Sequence, residues 1–258
     1  MSTPINLTKT SAISLEKVAG TAPGLIDAYK SAETTLRKNE LLGERAAVYL
    51  VLDRSGSMHP FYSDGSVQRL AEQALGLAAH FDDDGIVPLT LFSTEVHTHN
   101  VRRGLLRRSS KTIDIALNDY QGRVGAIHKA LGHMGRTNYS TAMEAVIEHY
   151  QQSKTSAPAF VIFQTDGAPD DRAATSELLQ QAAKLPIFWQ FVGFGEDPFT
   201  YLRRLDEMPV PQMRVVDNAG FFPAGGSPST LTDDYLYANL MSEFPKWLTA
   251  ARGQGILR

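Results

Sequence analysis

The stretch YLVLDRSGSMHPFY, residues 49–62, indicates the fold and raises the question of function. It opens as a continuous apolar run, which is typical of a strand buried on both faces of a parallel sheet. The run ends in the carboxylate of Asp53, and the hydroxyls of Ser55 and Ser57 follow at alternate positions. These residue types serve a metal site, a catalytic nucleophile or an ordinary turn, so the rest of the chain must decide among the three.

The pattern beyond this stretch predicts the fold class. Strand-like runs occupy residues 46–52, 87–92, 159–164, 187–193 and 213–216, and helix-like segments occupy 67–81, 139–152, 172–185, 198–208 and 233–251. Their alternation predicts an α/β domain whose mostly parallel, Rossmann-like sheet is doubly wound and covered on both faces. Residues 93–101 are compact enough to connect into an adjacent antiparallel strand. No linker interrupts this pattern, so we predict one domain over residues 46–258.

Residues 1–45 are predicted to form an N-terminal extension. Two tetrads, Asn6–Lys9 and Ser14–Lys17, alternate apolar and polar residues and predict two short strands. A helix with apolar residues at helical spacing is predicted over residues 25–42.

Composition limits the function. The net charge of −3, from 25 basic and 28 acidic side chains, is too mild for a nucleic-acid-binding domain. The absence of cysteine excludes a disulfide framework, a thiolate zinc site and a cysteine nucleophile. Residues 1–17 lack the profile of a signal peptide, and no apolar run approaches the roughly 20 residues that span a bilayer. We therefore expect a cytoplasmic protein without a membrane partner, whose oligomeric state the sequence does not indicate.

Three predicted loops at the carboxyl ends of strands carry the candidate site. They contribute the carboxylates of Asp53 and Asp166 and the hydroxyls of Ser55, Ser57 and Thr137. In an open α/β sheet, ligands collect at this edge. An oxygen-only set with few formal charges suits Mg²⁺, with Mn²⁺ and Ca²⁺ as alternatives. Such a set leaves the ion under-neutralised, which favours a carboxylate from outside and predicts cation-dependent adhesion rather than turnover.

The motif Asp53-x-Ser55-x-Ser57, together with Thr137 and Asp166-Gly167, resembles the metal-ion-dependent adhesion site (MIDAS) of the von Willebrand factor A (vWA) family. The resemblance covers about residues 46–250 and implies a vWA fold with one antiparallel edge strand. It also implies that Ser55, Ser57 and Thr137 bind Mg²⁺ directly, whereas Asp53 and Asp166 act mainly through bound waters. Arg136 departs from the family, because many members have a small residue before the threonine.

A narrower resemblance concerns the residues around these motifs. Residues 55–96 and the segment GRTNYSTAMEAV, residues 135–146, are similar to the vWA domain of bacterial tellurium-resistance proteins of the TerF type. Residues 5–17, INLTKTSAISLEK, resemble the opening strands of TerD-type domains. These resemblances imply a non-enzymatic module in tellurite or stress resistance that binds an acidic residue of a protein partner. A TerD-type protein is the candidate partner.

Enzymatic alternatives are weaker but one stays open. The sequence RSGSM lacks the Gly-x-Ser-x-Gly signature of a serine hydrolase, and Ser55 stands where an aspartyl-phosphate enzyme usually has a second aspartate. A metal-dependent phosphohydrolase using the same cation remains the alternative function. It would need a general base or nucleophile beside the ion, and the sequence marks none.

Other polar clusters are interpreted as structural. His97 and His99 would share a strand face, yet no third metal ligand is apparent. The basic run Arg102–Lys111 is expected to be a solvated loop, and Asp82-Asp83-Asp84-Gly85 lacks the spacing of an EF-hand. Asp170 and Asp171 are expected to cap the helix that follows them.

Overall fold

The computed structural model of the protein describes residues 10–103, 106–210 and 212–257. In chain order, the helices and strands are α1 (Leu15–Thr21), α2 (Ile26–Lys38), β1 (Ala47–Asp53), α3 (His59–Ser63), α4 (Ser66–Phe81), β2 (Ile86–Phe92), β3 (His99–Arg103), β4 (Leu106–Ser110), β5 (Ile113–Ala116), α5 (Arg123–Ala130), α6 (Tyr139–Ser153), β6 (Ala159–Thr165), α7 (Arg172–Ala182), β7 (Ile187–Phe194), α8 (Thr200–Asp206), β8 (Ala219–Gly225), α9 (Asp233–Leu240) and α10 (Phe244–Gly253).

The central sheet has six strands in the order β5-β2-β1-β6-β7-β8. All neighbours run parallel except β5, which pairs antiparallel with β2 at the edge. This arrangement confirms the predicted α/β class and its single antiparallel edge strand. The antiparallel strand is β5. The prediction placed this strand directly after the connection at residues 93–101, but β3 and β4 form a separate two-stranded hairpin in between.

Helices cover both faces of the sheet, and successive residues of β1 face opposite layers. Leu50 and Leu52 pack in one buried cluster with residues of α1, α2, α4, α5, α9 and α10. Tyr49 and Val51 pack in the other cluster with residues of α6, α7 and α8. A fully buried leucine or phenylalanine contributes roughly 1.5–3 kcal/mol by leaving water. Burial on both faces therefore explains why the strand sequences are continuously apolar instead of alternating.

The N-terminal segment differs from its predicted strands. Ser14 caps α1, its Oγ accepting a hydrogen bond from the Lys17 backbone N–H at 3.3 Å, so the tetrad Ser14–Lys17 is helical and the strand prediction was wrong there. The tetrad Asn6–Lys9 lies outside the described residues. Helix α2 agrees with its prediction and packs closely on α4, where a Cβ on Gly76 would lie 3.1 Å from the Cβ of Ala28. The division of the chain at residue 46 stays a prediction.

The C-terminal third differs from the predicted elements in two places. Residues 213–216 are not a strand, and the edge strand β8 lies at Ala219–Gly225, in a segment expected to be loop. Pro223 and the flanking glycines made that segment look unlike a strand, but an edge strand tolerates them. The predicted final helix is two helices, α9 and α10, and Pro245 lies in the first turn of the second. Within the described ranges no helix is both long and apolar enough to cross a membrane.

Candidate metal centre

The candidate site forms where β1 and β6 end side by side. These strands are parallel neighbours in the register Leu52 opposite Gln164, so Asp53 stands beside Thr165 at the carboxyl edge of the sheet. The residue after Thr165 is Asp166, and the residues after Asp53 are the two serines of the motif. Sheet register alone therefore places the two predicted carboxylates next to each other.

Asp53 is fully buried, and both of its carboxylate oxygens are engaged. One oxygen, Oδ1, accepts a hydrogen bond from the Ser55 backbone N–H at 2.7 Å, and Oδ2 accepts one from the Thr165 hydroxyl at 2.7 Å. Burial, with the nearby charge of Asp166 as a second cause, raises the pKa of Asp53 to about 7 despite these hydrogen bonds. The hydrogen bonds fix the orientation of the carboxylate, but burial makes its negative charge unfavourable. A bound cation would offset this unfavourable energy.

Ser55, Ser57 and Asp166 form one contact group. The Ser55 and Ser57 hydroxyl oxygens are 3.2 Å apart. Burial raises the pKa of Asp166, hydrogen bonds from the Ser57 and Ser55 side chains lower it, and the charge of Asp197 raises it further. Two hydroxyls and two carboxylates thus lie together at the carboxyl edge of the sheet, and their role as metal ligands stays a prediction.

The Thr137 loop is fixed to both neighbouring loops through its backbone. The Gly56 N–H donates to the Gly135 carbonyl oxygen at 3.1 Å, and the Asp170 N–H donates to the Thr137 carbonyl oxygen at 2.7 Å. Gly135 lies so close to its neighbours that a Cβ there would be 2.7 Å from Ser93 Oγ. The structure therefore brings Thr137 to the same edge as the other four predicted ligands.

Arg54 is a positioning residue that sequence reasoning missed. Its side chain is fully buried and extends away from the candidate ligands. The guanidinium donates to the carbonyl oxygens of His133 at 2.6 Å, His128 at 3.3 Å and Gly132, and its Nε donates to His128 Nδ1 at 3.2 Å. The His128 carbonyl lies in the last turn of α5, and those of Gly132 and His133 follow the helix, so the guanidinium sits at a helix C-terminus, where positive charge is favourable. Arg54 thereby joins the Asp53–Ser57 loop to the segment that leads into Thr137. In the sequence, this role is indicated by a charged residue that lies within an apolar stretch expected to be buried.

The hydroxyls of Tyr139 and Tyr62 contact the groups that surround the Asp53 carboxylate. The Tyr139 hydroxyl lies 2.9 Å from Thr165 Oγ1, the atom that donates to Asp53, and it also donates to the Gly167 carbonyl. The Tyr62 hydroxyl donates to the Asp53 carbonyl oxygen at 3.0 Å, and its ring stacks on His128 at 4.1 Å between centroids. These contacts couple the orientation of Asp53 to helices α3, α5 and α6.

The two aspartates after the site act differently from their predicted role. The Asp171 carboxylate accepts hydrogen bonds from the backbone N–H groups of Tyr139 at 3.0 Å and Ser140 at 2.9 Å. It therefore caps α6, whereas its own helix, α7, has no side-chain cap. The expectation that it caps the following helix was wrong, because α6 begins beside this loop and offers free N–H groups.

Arg136 does not enter the cluster of candidate ligands. Its side chain is 81% exposed and pairs with Asp170 at 3.6 Å. In the described part of the chain, no basic side chain forms an ion pair with Asp53 or Asp166. The donor set thus consists of two uncompensated carboxylates and three hydroxyls. This chemistry fits a hard divalent cation.

The other polar clusters add no second metal site. His97 Nε2 lies 3.2 Å from Ser93 Oγ, and burial lowers the pKa of His97 to about 4. Arg102 and Arg107 are paired residues of the β3–β4 hairpin, so the basic run is a hairpin rather than the expected loop. Among the described residues, no group of three or more His, Asp or Glu side chains is arranged to hold a metal ion.

The sheet order, the antiparallel edge strand and the cluster at the carboxyl edge define a vWA domain. Two solved structures share this fold, each with a TM-score of 0.51. One is proximal thread matrix protein 1 from the mussel byssus, 15% identical, with 77% of this chain and 47% of that chain covered. The other is manganese-loaded TRAP protein of Plasmodium vivax, 17% identical, with 78% of this chain and 74% of that chain covered. At these identities the likeness shows the fold alone.

Sequence comparison places the chain within that class. The family model vWA-TerF-like, described as the vWA found in the TerF C terminus, matches residues 45–257. The chain therefore belongs to the vWA-TerF-like family. YcbR, an uncharacterized protein of Bacillus subtilis (strain 168), is 32% identical over 233 residues, which are 89% of this chain and 88% of that protein. The predicted resemblance to TerF-type vWA domains is confirmed.

Proposed function

We propose that this protein is a non-enzymatic binding module whose metal centre captures an acidic residue of a protein partner. The observation that carries the proposal is the pair of carboxylates, fully buried Asp53 and half-buried Asp166, with neighbouring hydroxyls and no compensating basic side chain among the described residues. Ser55, Ser57 and Thr137 would hold the ion directly, and Asp53 and Asp166 mainly through waters. A divalent cation there would supply an under-neutralised centre that attracts an external carboxylate.

Mg²⁺ is the proposed physiological ion, with Mn²⁺ and Ca²⁺ as alternatives. The oxygen-only donor set and its low formal charge support Mg²⁺, which retains several waters in such sites. The manganese-loaded state of the Plasmodium vivax TRAP protein supports a divalent cation in a vWA fold without choosing among ions. The chain's own residues orient the donors: Thr165 and the Ser55 N–H fix the Asp53 carboxylate.

The proposed partner is a TerD-type protein in a tellurite or stress-response system. Membership of a family described by its occurrence in TerF supports this setting. The phosphohydrolase alternative has no specific support. Two histidines, His97 and His128, are engaged with Ser93 Oγ and with the Arg54 guanidinium, respectively.

The partner proposal is tested by measuring binding of a TerD-type protein from the same organism in Mg²⁺ and in EDTA. We expect binding in the presence of Mg²⁺ and no binding in EDTA. We also expect a loss of affinity of at least about tenfold in Asp53→Asn, which removes a negative charge from the site, and in Thr137→Ala, which removes a hydroxyl ligand. Thr141→Ala is the matched control, because the Thr141 hydroxyl only bonds the Asn138 carbonyl. Binding that survives EDTA or both variants would refute the metal-dependent mechanism. Binding of Mg²⁺ without binding of the TerD-type protein would refute only this choice of partner.

A further inference from the structure

A groove of about 760 Å³ runs between α7 and α8 and opens beside the metal centre. Ala168, two residues beyond Asp166, lines its upper end together with Asp197, whose charge acts on Asp166. Met208 and Met213 line its lower end. The groove therefore begins beside the edge that carries the candidate ligands, although none of the five ligands lines it, and its size is within the usual range for binding pockets.

Tyr201 joins the two walls of the groove. Its hydroxyl donates to the Arg172 carbonyl oxygen at 2.8 Å and lies 3.0 Å from Ser176 Oγ, both on α7. The Arg172 guanidinium carbon is 5.9 Å from the centroid of the Tyr201 ring. These contacts hold the helices at a fixed separation, so the groove is formed before any ligand arrives.

The middle of the groove offers positive charge. Arg172 and Arg204 both line it, and neither forms an ion pair with a described residue. Two acidic residues also line it: Asp197 accepts a hydrogen bond from the Phe199 N–H at 2.6 Å, and Glu207 lies toward the lower end. A single hydrogen bond does not neutralise the Asp197 carboxylate, and the Arg172 guanidinium is already engaged, because its Nε donates to the Pro169 carbonyl oxygen at 3.3 Å. Arg204, which is exposed, is therefore the guanidinium available to a ligand, and a guanidinium fits a carboxylate.

The lower end of the groove adjoins exposed apolar side chains. Met213, which lines the groove, is 46% exposed, and Val210 and Val215, which are near it in the chain but do not line the groove, are 41% and 38% exposed. They are three of the five large hydrophobic side chains that stand out as exposed in the described ranges. Such a concentration on an otherwise polar surface is typical of a protein-interaction site.

We propose that this groove binds an extended segment of the protein partner, with an acidic residue at the metal, a second acidic residue at Arg204 and apolar residues at Met208 and Met213. This inference rests on the proposed function, because the metal-bound carboxylate anchors the segment. The order of chemistry along the groove gives the segment a direction: acidic residues lie at the end nearer the metal, and apolar residues follow. Arg204 and Met213 would then determine specificity, whereas the metal would supply the shared requirement for a carboxylate.

The test is a selection of random dodecapeptides displayed on phage against the full chain in Mg²⁺, with elution by EDTA. Peptides from this selection are synthesised with a fluorescent label, and their affinity is measured by anisotropy. We expect acidic residues followed on one side by apolar residues, and a loss of about tenfold in affinity in Arg204→Glu. Arg203→Glu is the matched control, because the Arg203 guanidinium lies over the Phe221 ring and does not line the groove.

Methyl NMR of ¹³C-methionine protein adds a readout independent of the charge change. The methyl resonance of Met213, which is exposed and lines the groove, should shift when peptide binds, while that of Met143, fully buried in the core, should not. Peptides that elute with EDTA but bind Arg204→Glu with undiminished affinity and leave the Met213 methyl unshifted would overturn the groove and leave the proposed function standing. Failure to recover any EDTA-eluted peptide would contradict both.

Discussion

The guanidinium of Arg54, which stands between two predicted ligands, reaches the carbonyl oxygens of His128, Gly132 and His133. Removing it would take a donor away from each of these carbonyls, of which His128 would still accept a hydrogen bond from the Leu131 N–H, and would remove the link between the two loops. We expect Arg54→Met to lower the free energy of unfolding by roughly 2–4 kcal/mol. We also expect it to weaken Mg²⁺ binding, because Thr137 is then less well positioned.

Urea unfolding and Mg²⁺ titration of Arg54→Met check this expectation. Arg136→Met is the control, since Arg136 is exposed and its pair with Asp170 is solvated. The control should stay within about 0.5 kcal/mol of the parent. Equal effects of the two substitutions would show that Arg54 has no special positioning role.

A methyl group on Gly135 would test the close approach of the Thr137 loop. It would lie 2.7 Å from Ser93 Oγ and 2.8 Å from Thr94 Oγ1, so Gly135→Ala must displace either the loop or these two side chains, of which Thr94 Oγ1 accepts a hydrogen bond from the Arg136 N–H beside Thr137. We expect this variant to bind Mg²⁺ at least about tenfold more weakly by calorimetry. Gly125→Ala, in α5 with nothing within 4 Å of the added methyl, should bind normally and gain up to about 1 kcal/mol of stability. Normal Mg²⁺ binding by Gly135→Ala would contradict the proposed role of this close approach.

The site was predictable from sequence to the extent that it depends on strand ends. Asp53, Ser55, Ser57 and Asp166 follow buried strands, and adjacent parallel strands bring such residues together. The contacts of Arg54 and Asp171 could not be predicted from the sequence, because their partners lie on α5 and α6, distant in the chain. No local pattern encodes such contacts.

Helix α6 depends on a cap supplied by another element, the Asp171 carboxylate. We expect Asp171→Ala to lower the free energy of unfolding by about 1–2 kcal/mol, because the first turn of α6 loses its acceptor. Urea denaturation measures the loss. Asp170→Ala, which removes an exposed neighbour, should change stability by less than about 0.5 kcal/mol. If the two substitutions were equally costly, the cap would not be important for α6.

Among the helices and strands, errors arose where local propensity and tertiary position disagree. The Ser14–Lys17 tetrad alternates like a strand, yet Ser14 also suits a helix cap, and packing of Val18 selected the helix. Residues 213–216 look more like a strand than β8 does. Buried Arg214 holds them instead, donating to the Met208 carbonyl oxygen at 2.9 Å and pairing with Asp217 at 2.8 Å. Because these contacts hold residues 213–216 in another conformation, the edge strand is formed by the Pro- and Gly-containing segment Ala219–Gly225.

The fold as a whole was predictable from the alternation of strands and helices.

The stability of the whole molecule should depend on pH through Asp206. Burial, reinforced by the charges of Glu243 and Asp217 and opposed by Arg214, raises the pKa of Asp206 from 3.8 to about 7. The folded state thus favours the protonated form. This contribution to stability is full below the unfolded pKa of 3.8 and is lost as the pH rises through about 7.

Asp206→Asn removes this titration. We expect the variant to gain stability relative to the parent at about pH 8 and to show a smaller difference at about pH 4, where Asp206 is protonated in the folded state. Urea midpoints at both pH values measure the change. Asp83→Asn, at an exposed turn, is the control. A difference between Asp206→Asn and the parent that is the same at both pH values would contradict the assigned pKa.

Whether the carboxyl edge of the sheet binds a metal ion is decided by calorimetric titration of the metal-stripped full chain with Mg²⁺ and Mn²⁺, beside Asp53→Asn and the control Asp83→Asn. We expect the parent and Asp83→Asn to bind about one ion, and Asp53→Asn, still folded by circular dichroism, to bind none. Binding that Asp53→Asn retains in full, or a parent chain that binds neither of these ions nor Ca²⁺ in a parallel titration, would contradict a metal centre at this edge.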